Sequence, residues 1–308
     1  MNTYKIEHKI YAISDCAVMK DKNRPASFQV EEVNFFHWDF NFRDGWKGDD
    51  AWLAVFSVDA LNYIDAINIL WKKFALIIPR IALISQSYIE YISESFLIHK
   101  TNEPIAFLRF ARNVKGGGLM FMENEQDALN KLLNDKTIPD SFYYYWNEVV
   151  NTNGYSSKLL LMFSALEAFA HNRDKKIFPK PKDLYTKILG TDLTNEIFSD
   201  KNSLRNRLVH GEYFNQNDHK KNYLKLVHEK VVSFFNEEIL KKKLIAENVV
   251  SPQRHPFENH VVGELFFKCK DNRVFFNLKD ILNNFDGDRF KSDGEYEIVD
   301  GKGLSKTY

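Results

Sequence analysis

The chain has little of what cross-links, punctuates or over-charges a polypeptide. Its 308 residues include two cysteines, Cys16 and Cys269. They lie far apart and outside any metal-ligand spacing, which excludes a disulfide scaffold and suits reduced thiols. Eight prolines and 13 glycines are too few for a collagen-like or low-complexity chain. Neither sign of charge dominates: 42 Lys and Arg balance 42 Asp and Glu, which argues against indiscriminate coating of nucleic acid. The most apolar stretch, Phe74 to Ile92, is interrupted by Pro79, Arg80 and Glu90. It therefore falls short of the roughly 20 uninterrupted apolar residues that span a bilayer. The opening Met-Asn-Thr-Tyr-Lys-Ile-Glu-His lacks the apolar core of a signal peptide. The expectation is a cytoplasmic protein without a membrane partner.

What is present is core material, 44% hydrophobic and 15% aromatic residues, enough for two or three modules. The predicted fold class is α+β and multidomain. A mixed α/β module over 1–135 and a small α/β appendage over 247–308 flank an all-α helical bundle over 136–246. In the first module, Lys9 to Ser14 and Phe28 to Phe36 read as strands. Apolar residues then recur at helical spacing through Trp52, Val55, Phe56, Ala60, Ile64, Ile67 and Trp71, predicting a helix from Asp50 to Phe74 capped by Asp49 or Asp50. Helix is also expected over Ile81 to Ile92, and strands over Phe96 to His99, Ile105 to Phe110 and Leu119 to Met122. Gly116-Gly117-Gly118 leads into Leu-Met-Phe, not a helix N-terminus, so it reads as a turn and not as a phosphate cradle.

The central segment is helical throughout. Helices are expected from Pro139-Asp140 through Val150, from Lys158 to about His171 with Ser156 or Ser157 as cap, over Lys182 to Leu189, over Leu193 to Phe198, and from about His219 to Leu244. In the last segment, Val261 to Lys268 and Arg273 to Leu278 read as a hairpin around Asp271-Asn272. A short helix near Lys279 to Asn284 and a strand at Tyr296 to Val299 follow.

The chemistry concentrates in Leu204-Arg205-Asn206-Arg207-Leu208-Val209-His210-Gly211. With Asp200 as N-cap and Gly211 just past the end, Lys201 to His210 forms a short helix. An imidazole takes or gives a proton near neutrality, and a guanidinium grips phosphate oxygens with a fork of donors. Together they suit cleavage of a phosphodiester without a metal. Asn206 and His210, four apart, share a face. Arg205 and His210, five apart, point about 140° away from each other. Arg205 thus reaches that face only by its length, or meets a histidine of another copy. Leu204 and Leu208 form the buried stripe.

Glu167 is the only charged residue from Leu159 to Ala170. A carboxylate on a largely buried helix needs a cationic or hydrogen-bonding partner, and Arg205 is the expected one. Between Asp140 and Ile245 stand 17 Lys and Arg against 13 Asp and Glu, a mild basic excess. Lys175 and Lys176 lie in a basic segment that also holds Lys180 and Lys182, a candidate phosphate contact alongside Arg207. His255, Glu258 and His260 match no metalloprotease spacing, and no G-x-S-x-G, Walker or Rossmann signature is present. No cofactor or metal is expected.

At Arg205, Asn206 and His210 the sequence resembles the HEPN domains, marked by an arginine, four to six intervening residues and a histidine, often with a polar residue straight after the arginine. The Val-His-Gly continuation and the upstream helix carrying Leu166-Glu167 are most similar to the ApeA-like branch of bacterial abortive-infection proteins. The resemblance covers about a third of the chain. It implies a metal-independent endoribonuclease, working on RNA as a homodimer that brings Arg and His side chains together across a two-fold interface. It implies His210 as general acid or base, Arg205 as stabiliser of the charged transition state, Asn206 as polar helper and Glu167 as orienter. A defence role follows, with the N-terminal module as candidate sensor of a phage-derived or cellular trigger. The alternative is a non-catalytic dimerisation module that binds RNA or protein.

Overall fold

The computed structural model describes residues 1–13, 27–37, 51–86, 88–91, 94–112, 123–152, 154–199, 201–212, 221–245, 260–272, 274, 276–286, 289–290 and 295–302. They form two units, one of Met1–Phe74, Ile89–Met122 and Arg254–Tyr308, the other of Ala75–Tyr88 and Glu123–Gln253. Mixed α and β structure is as expected, but the chain divides differently from the three predicted segments. The last segment belongs with the first, and part of the first belongs with the helices.

The first unit is built on strands β1 (Asn2–Ile13), β2 (Ser27–Val30), β3 (Val33–His37), β4 (Ala51–Ala60), β5 (Tyr88–Glu90, of which Ile89 and Glu90 lie in this unit), β6 (Phe96–Lys100), β7 (Ile105–Arg112), β8 (His260–Cys269) and, after the short pair β9 (Phe285–Asp286) and β10 (Arg289–Phe290), β11 (Tyr296–Lys302). The sheet runs β11-β8-β7-β6-β1-β4-β3-β2, and β5 also pairs with β1. β8 is hydrogen-bonded antiparallel to β7 from Ile105↔Lys268 to Arg112↔His260. This ladder draws the predicted appendage into the N-terminal sheet.

The helix expected over Asp50 to Phe74 is a strand in its first part. Trp52, Ala54, Phe56, Val58 and Ala60 are buried while Ser57 and Asp59 are exposed, the two-residue period of a pleated strand. Trp52, Phe56 and Ala60 are four apart, which fits a helix face and a strand face equally. Pairing with β1, from Asn2↔Ala60 to Tyr11↔Ala51, decides between them. Helix α1 (Tyr63–Ser85) begins only after Asn62, whose Oδ1 accepts the Asp65 N–H at 3.0 Å while Asp65 Oδ2 accepts the Leu61 N–H at 2.9 Å. These two side-chain acceptors cap the helix start. The expected caps Asp49 and Asp50, and the triple glycine with the strand at Leu119 to Met122, lie outside the described residues.

Both faces of the sheet are covered. On one, Trp71 and Phe74 of α1 meet Phe96 and His8 with ring centroids 5.5 and 5.1 Å apart. On the other, Leu97, Leu108, Phe110, Leu265, Phe267 and buried Cys269 pack with Phe276 and with helix α9 (Leu278–Asn283). Of the strand predicted over Arg273 to Leu278, the described residues do not pair with β8. Asn277 Oδ1 instead accepts from Lys279 and Asp280 and starts α9, and the neighbour of β8 is β11. Cys16 lies outside the described residues.

The second unit holds the C-terminal half of α1 with helices α2 (Glu123–Asn134), α3 (Asp140–Asn151), α4 (Tyr155–His171), α5 (Pro181–Leu189), α6 (Thr191–Phe198), α7 (Leu204–Val209) and α8 (Tyr223–Phe234), the last running into a π-helical turn at Phe235–Ile239. The sequence reading missed α2, whose Ala128, Leu129 and Leu132 are buried. Phe142 stacks with Trp146 and Phe235 at 5.7 and 5.2 Å, anchoring the aromatic core. Arg80, 4% exposed, is fully engaged. Its Nη2 bonds Asp140 Oδ1 at 2.6 Å, Nη1 and Nε donate to the Leu76 and Leu132 carbonyls, and the guanidinium lies 4.1 Å over the Tyr143 ring. Such pairing is what lets an arginine be buried. Among the described residues no helix is long and apolar enough to cross a membrane.

Candidate functional site

Helix α4 supplies one wall of the site. It starts after Gly154, which sits at φ +98°, a conformation that L side chains rarely adopt. The helix therefore begins earlier than the expected serine caps. Leu159, Met162, Phe163, Ala165, Leu166, Phe169 and Ala170 are buried, and Glu167 is the one charged residue between Leu159 and Ala170.

Helix α7 is shorter than predicted, Leu204 to Val209, with Ser203 at its start; the expected cap Asp200 lies outside the described residues. Leu204 and Leu208 are buried, as their spacing requires. Its end is a closed hydrogen-bonded motif. The Glu212 N–H reaches the Arg207 carbonyl at 3.0 Å, the Gly211 N–H reaches the Leu208 carbonyl at 3.1 Å, and Gly211 has φ +89°. This is the Schellman arrangement, which uses a glycine to satisfy carbonyls that the helix leaves open. It sets His210 at the helix terminus, exposed.

Arg205 is paired as predicted. Its Nε donates to Glu167 Oε1 at 2.7 Å and its Nη2 to Glu167 Oε2 at 3.2 Å, while Nη1 reaches Asn206 Oδ1 at 3.4 Å. The planar fork thus meets the carboxylate at two points, the geometry that makes arginine specific. Asn206 turns its side-chain oxygen to Arg205; its backbone carbonyl accepts the His210 N–H at 3.0 Å. Arg207 makes a second fork-to-carboxylate pair, Nε to Glu212 Oε2 at 2.7 Å and Nη2 to Glu212 Oε1. Those bonds raise the proton affinity of its guanidinium.

Two residues near this cluster carried no sequence signal. Tyr185 of α5 is buried and stacks on Phe198 at 4.2 Å. Burial first, and then the Glu167 charge, push its hydroxyl up to about 12, opposed by Arg205 and Arg173. In sequence it is only one more apolar position of α5. Arg173 donates to the carbonyls of Phe178, Ala170 and Pro179, each at 2.7 Å, which fixes the loop carrying Lys175 and Lys176. Both lysines are exposed, and the Lys176 N–H is held by Asp174 Oδ1 at 2.8 Å. Among the described residues no hydrogen bond or ion pair joins these lysines to α7.

The arrangement offers an exposed imidazole at the end of a short helix that carries two guanidinium groups, each held by a carboxylate. Among the described residues, no group of three or more His, Cys, Asp and Glu side chains is arranged to hold a metal ion. Compared with known proteins, the chain matches no family model, no curated protein and no solved structure.

Proposed function

We propose that the chain is a metal-independent endoribonuclease of the HEPN type, acting as a homodimer in anti-phage defence, with the sheet unit as a candidate sensor. The observation that carries this reading is the pairing of Arg205 with Glu167 on a neighbouring helix while His210 stands exposed at the end of the same short helix. In one chain the motif arginine faces away from the motif histidine, so a second copy is needed to complete an Arg and His set.

The chemistry balances without further reagents. One His210 takes the proton of a ribose 2′-hydroxyl, the 2′-oxygen attacks phosphorus, and the bond from phosphorus to the 5′-oxygen breaks. The His210 of the other copy protonates that leaving oxygen, giving a 2′,3′-cyclic phosphate and a 5′-hydroxyl. Guanidinium groups offset the charge that gathers on the phosphoryl oxygens in the transition state. The test is incubation with total cellular RNA in EDTA, followed by mapping of the cut ends. Wild type should cut, His210→Ala should not, and both should keep the same fold and oligomeric state. Equal cutting by the two proteins overturns the reading.

The second reading, a non-catalytic module that binds RNA or protein, is favoured by one feature. Both guanidinium groups of α7 are already neutralised by carboxylates. RNA binding without cleavage in the same assay would select it.

A further inference from the structure

On a helix, positions three apart lie about 60° apart around the axis, whereas positions five apart lie about 140° apart. The guanidinium on His210's own face within one chain therefore belongs to Arg207 and not to Arg205. Arg205 is turned to α4 by Glu167. Arg207 is held by Glu212, and that hold is built into the backbone. The bond from the Glu212 N–H to the Arg207 carbonyl folds the chain back so that the Glu212 carboxylate meets the guanidinium of the same residue at two points. Gly211, with its positive φ, makes the fold-back possible.

We infer that Arg207 is the phosphate-gripping fork beside His210, and that Glu212 is a resident competitor that occupies this fork until an RNA phosphate displaces it. The inference rests on the RNA-cleaving reading of the motif. A carboxylate and a phosphate present the same pair of oxygens to a guanidinium, so one replaces the other in place. The pair lies at the surface, with 40% and 44% of the two side chains exposed, where ion pairs are weak. Glu212 is therefore a bias against loose contacts and not a lock. A bound strand takes the fork at little cost, while a free phosphate or a stray carboxylate gains little by doing so.

The test measures binding of a fluorescein-labelled single-stranded oligoribonucleotide of mixed sequence to the full chain in EDTA. It uses a His210→Ala background so that the strand stays intact, over a series of salt concentrations. Glu212→Gln should tighten binding by about two- to fivefold. It should leave the slope of log affinity against log salt nearly unchanged, because the bound strand occupies the fork in both proteins. Arg207→Gln should weaken binding and flatten the slope by about 0.7, the increment for one phosphate contact on a single strand, and adding Glu212→Gln to it should change nothing further. Glu297→Gln, an equal change in net charge within the sheet unit, should have no effect on either quantity.

A gain from Glu212→Gln that survives in the Arg207→Gln background overturns the inference, because the charge would then act without the fork. So does a gain matched by Glu297→Gln, or none at all, while wild type still cuts RNA and His210→Ala does not. Absence of RNA binding by every variant and of cleavage by wild type removes the underlying reading and this inference together.

Discussion

Arg205 and Glu167 meet through two bonds, Nε to Oε1 at 2.7 Å and Nη2 to Oε2 at 3.2 Å, tying the motif helix to α4. About a third of each side chain is exposed, 32% and 34%, so water screens part of the attraction. A double-mutant cycle with Glu167→Gln and Arg205→Lys, read by urea denaturation, should give a coupling of about 1 kcal/mol. Lysine keeps the charge but not the fork, so the cycle reports the two-point geometry. A coupling near zero would show that the pair holds nothing together.

Gly211 has open space around an added Cβ, with nothing within 4 Å, and φ at +89°. Sterics therefore do not oppose a side chain there; the backbone conformation does. Gly211→Ala should lower stability by about 1 kcal/mol in thermal melting, and Gly211→Asn by less, since asparagine tolerates this region better. A neutral alanine variant would mean that the helix end frays without consequence.

His228, 3% exposed, sits with Nε2 2.9 Å from Gln86 Oε1. The Gln86 amide nitrogen donates to the Leu83 carbonyl, so its oxygen is the acceptor and Nε2 carries the proton. Burial, then the Lys158 charge, push this imidazole down to about 4, while in the unfolded chain it titrates near 6.5. Between those values the unfolded state binds a proton that the folded state refuses. Stability is therefore full above about pH 6.5 and is lost as pH falls toward 4, by up to roughly 3 kcal/mol. Denaturation at neutral and at mildly acid pH should show this loss shrinking in His228→Gln. An unchanged acid loss would assign it to other groups, such as His8 and His99, which burial also brings to about 4.

Glu7, 2% exposed, joins the two ends of the sheet unit. Its Oε2 accepts the Leu278 N–H at 2.6 Å and its Oε1 accepts from Lys5 Nζ at 2.8 Å. Glu7→Ala leaves the first turn of α9 without its acceptor, and leaving a buried donor unsatisfied costs about 1–3 kcal/mol. Urea denaturation should show a loss of that size, and hydrogen exchange at Leu278 should quicken. Unchanged exchange there would show that α9 holds without the carboxylate.

Local signals in the sequence were read correctly where a residue's chemistry left one solution. Glu167, the one charge between Leu159 and Ala170, needed a cation, and Arg205 is that cation. Gly211 after a periodic run marked the helix end. What failed was non-local. Trp52, Phe56 and Ala60 fit either period, and only β1 makes them strand residues. Nothing near Val261 to Lys268 announces β7 as its neighbour, because a strand's pairing partner is not written in the strand. Tyr185 and Arg173 were invisible for the same reason, since their roles come from what surrounds them.

The ladder between β7 and β8 also bears on how the protein is made. Arg112 and His260 are paired neighbours, yet the ribosome produces them about 150 residues apart, a delay of roughly 7–30 s at ordinary elongation rates. During that interval β7 waits with one edge unfilled, and by its end the helix that carries Arg205 and His210 has been synthesised. The helical half of the molecule can therefore reach its final form during synthesis before the sheet does, and the nascent strand edge is the point at which a chaperone would be needed.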